Sequence, residues 1–159
     1  MNTSSHVTRE NVTDAVLSAS RVLVAVAARS LAAVADEVTL TQYRALVVLA
    51  SRGPQTVAAL AEAVAVTSPT ASRLCDRLER KGLVERRTDA RDRRAVSLGL
   101  TAAGRELVDA VTRRRREEIA GLLDAIPPEG QRALVEALTQ LSAAAGEVPE
   151  QDWSTGWDL

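Results

Sequence analysis

Arginine is the residue type this chain offers where chemistry could be done. Thr70, Arg73 and Arg77 recur at three- and four-residue spacing, so on a helix they share one arc, while Ala71, Leu74, Cys75 and Leu78 share another. Two guanidiniums one turn apart can donate bidentate hydrogen bonds to guanine or phosphate, and a threonine can touch a thymine methyl or a phosphate. A second group follows in the run TDARDRR, which brings Arg91, Arg93 and Arg94 together with Asp89 and Asp92. Clustered like charges repel unless a polyanion or nearby carboxylates neutralise them, and such a tip suits the minor groove of a duplex. Asp92 beside Arg94 would hold the guanidinium in one orientation. The competing reading of the helix arc is a solvated face, with Arg73 paired along the helix to Asp76 or Glu79, and that of the TDARDRR tip is a mobile charged loop.

Other chemistries are poorly supplied. One His and one Cys cannot assemble a metal cluster, a Ser/His/Asp or Cys/His nucleophile or a disulfide framework. Neither an enzyme nor a cofactor is expected, and a reducing cytoplasm is the natural setting. Cys75 reads as a small buried hydrophobe and His6 as inert. The RRRREE run invites a nucleic-acid reading too, but Arg113 with Glu117 and Arg114 with Glu118 are i, i+4 partners on a long helix, which favours a self-paired, solvated face. Net charge is −1, yet residues 67–94 hold nine basic side chains against five acidic, between a balanced segment and an acidic one. That is how a localised polyanion-binding face looks. No basic leader precedes an apolar stretch, no window is expected to reach a membrane span's composition, and no membrane partner is expected.

The elements that must position these arginines follow from periodicity. Apolar residues are 46% of 159, but aromatics only 2%, so the core is aliphatic and suits packed helices. A long helix is expected over residues 12–35. A second begins at a cap in Leu40-Thr41 and ends before Gly53-Pro54. Thr56 caps a short third helix, and Ser68 caps a fourth with Pro69 at its first position and Gly82 closing it. Residues 83–87 and 95–100 read as a hairpin, and Thr101 caps a long helix stopped by Pro127-Pro128. A last helix spans about residues 129–145. Residues 56–100 are therefore a winged helix-turn-helix, whose second helix enters the major groove while the hairpin flanks it. The fold class is mainly α with a minor α+β part, and N- and C-terminal dimerisation helices flank the DNA-binding unit. Its parts are residues 8–35, 40–100 and 101–147, with a tail at 148–159.

The run from Leu40 to Gly104 resembles the MarR family of bacterial transcriptional regulators. Its specific parts are the Leu-Thr opening at 40 and 41, the D-x-R element at Asp92 to Arg94, and Leu-Thr-x-x-Gly from Leu100 to Gly104. The resemblance implies a homodimer reading a palindromic operator on double-stranded DNA. It implies that Ser68, Thr70, Arg73 and Arg77 contact the major groove, and that Arg94 enters the minor groove beside Asp92. Thr56 and Ser72 join the expected DNA-binding set with Arg91 and Arg93. Ala65 departs mildly from the pattern, standing in a turn where relatives often carry a residue tolerant of positive φ.

A dimer also follows from the residues, since about 45 residues of winged unit cannot cover the apolar stripes of three separate helices. By resemblance, a small aromatic or phenolic ligand would release the DNA, a repressor's behaviour, and Arg21, Tyr43 and Arg44 are the candidates to bind it. The alternative is a winged-helix protein-interaction module without ligand control. Trp153 and Trp157 hold most of the chain's aromatic surface, and the tail carrying them is expected to pack on the helical stem or a partner.

Overall fold

Among the described residues threonine precedes five of the six α-helices, and at four of them its hydroxyl accepts from a backbone N–H that the helix leaves without a partner. The computed structural model describes residues 7–35, 38–88 and 96–153, so His6, Trp157 and the expected wing residues Asp89, Arg91, Asp92, Arg93 and Arg94 lie outside the described residues. In chain order come α1 (Arg9–Ala32), α2 (Leu40–Arg52), α3 (Val57–Val64), α4 (Ser68–Arg80), β1 (Val84–Thr88), β2 (Val96–Leu100), α5 (Ala102–Leu123) and α6 (Pro128–Ala144). A single 3-10 turn, Glu150–Asp152, follows.

Two caps differ from expectation by a residue or two. Helix α2 is capped by Thr39, not within Leu40-Thr41: its hydroxyl accepts from the Gln42 N–H at 3.2 Å while Gln42 accepts from the Thr39 N–H at 3.1 Å. This reciprocal box satisfies two donors at once, and Thr41 has no such partner three residues on. Helix α4 is capped by Thr67, and Ser68 is its first helical residue. The Thr67 side chain makes no bond to the backbone there and instead donates its hydroxyl to Thr70 Oγ1 at 3.0 Å.

Helices α3 and α4 meet through a turn in which Ala65 sits at φ 57°, the sole non-glycine residue with positive φ among those described. The Val66 N–H donates to Ala61 O at 3.0 Å and fixes that turn. An alanine pays a steric cost there that glycine does not. Gly82, at φ 69°, closes α4 as expected, with the Leu83 N–H reaching back to Leu78 O.

Strands β1 and β2 pair antiparallel from Val84 opposite Leu100 to Thr88 opposite Val96. Gln55, in the α2–α3 connection, adds a bridge to Leu98 by two backbone bonds of 2.7 and 3.0 Å. The result is a winged helix-turn-helix around an aliphatic core: α2 contributes Ala45 to Ala50, α4 Leu74, Cys75 and Leu78, the hairpin Leu98 and Leu100, and α5 Val108 and Val111. The Leu-Thr-x-x-Gly element locks hairpin to stem. Thr101 donates its hydroxyl to Gly82 O at 2.6 Å and accepts from the Gly104 N–H at 3.1 Å. A Cβ on Gly104 would overlap the Leu83 carbonyl oxygen.

Helix α1 packs on α5 and buries Val26, Ser30 and Leu31, but its first two-thirds leave Val12, Val16, Leu17 and Leu23 exposed. Helix α6 buries no residue and exposes Val135, Leu138 and Leu141. The expectation about membrane composition needs correcting: α1 reaches a mean hydropathy of 1.5 and is, among the described residues, long and apolar enough to cross a bilayer. Its alanines and valines outweigh its three arginines, Arg9, Arg21 and Arg29.

Two substitutions test this architecture in opposite directions. Gly104→Ala should cost about 2 to 3 kcal/mol by forcing the Leu83 carbonyl, just before β1, away from α5. Ala65→Gly should gain up to about 1 kcal/mol, relief of the left-handed conformation outweighing the added unfolded-state freedom. Denaturant midpoints of both variants measure this.

Candidate nucleic-acid interface

The rotation of α4 is set by what it buries. Ala71, Leu74, Cys75 and Leu78 are at most 8% exposed, so the arc bearing Ser72, Arg73 and Arg77 must face away from the core. Cys75 is fully buried and burial pushes its thiol pKa up, as befits a packed hydrophobe. Thr70 is half-buried at the helix start, where Arg73 donates to its hydroxyl at 3.4 Å. Ser68 is exposed in the first turn. Thr56, also exposed, caps α3 by accepting from the Ala59 N–H at 3.1 Å.

The competing reading, in which Arg73 pairs with Asp76 or Glu79, is not what the structure shows. Both carboxylates turn toward β1, where Arg86 donates to Asp76 at 2.6 Å and to Glu79 at 3.0 Å. The two acids raise the Arg86 pKa further above its already high value, with the bond to Glu79 the larger cause. Among the described residues no carboxylate pairs with Arg73 or Arg77. Sequence reasoning missed Arg86. The available signal was a pair of acids three residues apart on one flank of α4, beside a strand arginine in an otherwise exposed row. A cleft of about 360 Å³ runs between Arg73 and Arg77 of α4 and Thr39 and Thr41 of α2.

The RRRREE face also departs from expectation. Glu118 leaves the run to accept two bonds from Arg29 of α1, at 2.9 and 3.1 Å, while Arg114 meets Glu117 at 3.7 Å and Arg116 meets Glu150 at 3.6 Å. Arg114 keeps a partner on its own helix, at i+3 instead of i+4, while Glu118 and Arg116 take tertiary partners because α1 and the C-terminal segment lie against this part of α5.

The three ligand candidates are not brought together. Arg21 lies on the exposed half of α1 and bonds Ser18 at 3.2 Å. Tyr43 is 4% exposed, with its hydroxyl buried and without a hydrogen-bond partner. Arg44 lines a cleft of about 400 Å³ with Val47, Arg115, Arg116, Ile119 and Trp153. It is no loose surface arginine: its Nη1 and Nη2 donate to the two oxygens of Glu147 at 2.9 and 2.7 Å. That guanidinium holds the Glu147 carboxyl below the ordinary carboxylate range. Trp153 packs against the core and donates its indole N–H to Val148 O at 3.2 Å, so this part of the tail is docked as expected.

The MarR family profile matches residues 38–96, the stretch from the start of α2 to the start of β2. An HTH-type transcriptional regulator of Mycobacterium bovis, Mb0904, is 33% identical over 112 residues, which cover 70% of this chain and 78% of that one. The crystal structure of RV1404 from Mycobacterium tuberculosis superposes with a TM-score of 0.83 at 38% identity, covering 92% of this chain and 99% of that one. The structure of S. aureus MepR bound to ethidium bromide gives a TM-score of 0.59 at 28% identity, covering 89% and 99%.

The chain belongs to the MarR family. It is a DNA-binding transcriptional regulator of the winged helix-turn-helix type. In a MarR fold the Arg86 brace gains a meaning, because it draws two negative charges off the flank of the helix that carries Arg73 and Arg77. Arg86→Ala should leave the melting temperature nearly unchanged, since exposed pairs contribute little. It should nonetheless weaken duplex binding several-fold, read by fluorescence anisotropy at low salt. The Arg44–Glu147 pair predicts a pH effect of definite sign. A depressed carboxyl pKa stabilises the fold above the ordinary carboxylate range, and that contribution disappears as pH falls through the lowered folded value. Between neutral pH and about pH 3, the Glu147→Gln variant should therefore lose less stability than the parent in denaturant titrations.

Proposed function

We propose that two copies of this chain bind one palindromic operator and repress the gene beside it, each placing α4 in the major groove. The single observation that carries the reading is the outward arc of α4, where Arg73 and Arg77 have no carboxylate partner among the described residues while Arg86 engages Asp76 and Glu79. Arg73 and Arg77 then reach base edges or phosphates, with Ser68, Thr70 and Ser72 beside them and Thr56 at the backbone-facing start of α3. Arg91, Arg93 and Arg94 meet the adjacent minor groove in this proposal, with Arg94 oriented by Asp92. Exposed apolar side chains on α1 and α6 support the homodimer, because a second copy would bury them. In this scheme residues 8–35 and 101–147 are dimerisation segments around a DNA-binding unit at 40–100. The apolar face of α1 then meets a protein partner rather than a lipid, in the cytoplasm.

The release of DNA by a small aromatic molecule belongs to the same proposal. MepR binds ethidium, a planar aromatic cation. In this chain the Arg44 cleft carries Arg44, Arg115 and Arg116 against Glu147 and Glu150, with Trp153 beside them, and this excess of one positive charge next to an aromatic ring favours an aromatic anion.

Repeated selection from a random duplex library, followed by anisotropy titration, tests the reading. Sequence-preferring binding by a dimer, with affinity falling steeply as salt rises, is expected. Arg73→Ala should cost about 1 to 3 kcal/mol on the selected duplex and less on random DNA. Binding that ignores salt, or a solitary chain in light scattering, would favour a protein-interaction module and overturn the proposal.

A further inference from the structure

The segment after α6 does more than end the chain. Gly146, at φ 67°, reverses its direction, and the next residues return across α5 to α2. Four contacts hold it there. Arg52, in the last turn of α2, donates to Gly146 O at 3.2 Å, and Arg44, two turns earlier, grips Glu147 with both of its terminal nitrogens. Arg116 of α5 meets Glu150 at 3.6 Å, and the Trp153 ring packs on the core edge. Both arginines of α2 are therefore spent on a segment about a hundred residues away. A bidentate guanidinium–carboxylate pair fixes direction as well as distance, so the contact resists sliding of α2 along α5. Within the winged unit, α2 is the most deeply buried helix, which makes any shift of α2 a shift of α4 and the hairpin.

We propose that residues 146–153 form a strap that fixes the orientation of the winged unit against the C-terminal helices, with Glu147 on Arg44 as its buckle. In a dimer that orientation sets the distance between the two α4 helices, so the strap narrows the range of half-site spacings the protein accepts. This second consequence rests on the operator reading above; the strap itself does not. No ligand is needed for it to act, and an anion competing for Arg44 would loosen it.

Glu147→Gln, a chain truncated after Ala145, and the reciprocal swap Arg44→Glu with Glu147→Arg are the test variants. Hydrogen exchange on the full-length protein reads the tie without DNA. Opening Glu147→Gln should raise exchange in residues 146–153 and in α2 together, and the swap should restore both. Trp153 emission, read in a Trp157→Phe background, should shift to the red in the Gln variant alone. On DNA, the ratio of affinities for the selected duplex and for one with its half-sites moved apart by a base pair should fall at least threefold in the Gln and truncated proteins. Exchange confined to residues 146–153, with α2 as protected as in the parent, would overturn the proposal, because the segment would then merely lie on the surface. An unchanged spacing ratio, with α2 loosened, would retain the tie and overturn its role in spacing. If no duplex is selected at all, the operator reading fails while the exchange and emission results still decide the strap.

Discussion

Burial of one arc of α4 is the constraint from which the rest of the interface follows. Leu74, Cys75 and Leu78 are locked among α2, the hairpin and α5, and removing a buried leucine side chain from such a site typically costs about 2 to 5 kcal/mol. The helix therefore cannot rotate about its axis, and the orientation of Arg73 and Arg77 is decided by aliphatic packing rather than by charge. Electrostatics then refines a direction already chosen. Arg86 sits on the strand beside α4 and takes up Asp76 and Glu79, so the face keeps its positive character even though acids flank it.

A second consequence concerns what the single chain leaves uncovered. The winged unit is a closed packing problem, solved by α2 through α5 with the hairpin as its lid. The first two-thirds of α1 and all of α6 are not part of that solution, and their exposed valines and leucines form an apolar surface that a partner would cover. That α1 is apolar enough for a bilayer and that it suits a dimer seam are one property seen twice, since both environments select Ala, Val and Leu.

Much of this was legible in the sequence, and the misses share a cause. The two arcs of α4 were readable because a 3.6-residue period leaves no other arrangement of those side chains, and Gly82 and Thr101 marked their ends by backbone chemistry that acts over a few residues. Caps at Thr39 and Thr67 were misplaced by a residue or two because neighbouring hydroxyls were equally competent, and only the partner three residues on discriminates between them. Ion pairs were misassigned because helical spacing speaks for local partners alone. Asp76 and Glu79 found Arg86 across a turn, Glu118 found Arg29 from 89 residues away, and Arg44 found Glu147 from 103. Nothing local encodes such contacts. They exist because packing brings the helices together first. Tyr43, legible as a core-edge aromatic, is wholly inside, with its hydroxyl unpaired.

Dimethyl sulfate probing of the bound, selected duplex bears most directly on which face of α4 meets DNA. The reagent methylates guanine N7, an atom exposed in the major groove. Protection of guanines in two half-sites one helical turn apart, lost when Arg73 and Arg77 are replaced by alanine, is the predicted result. A duplex held firmly while its major-groove guanines stay fully reactive would contradict the account.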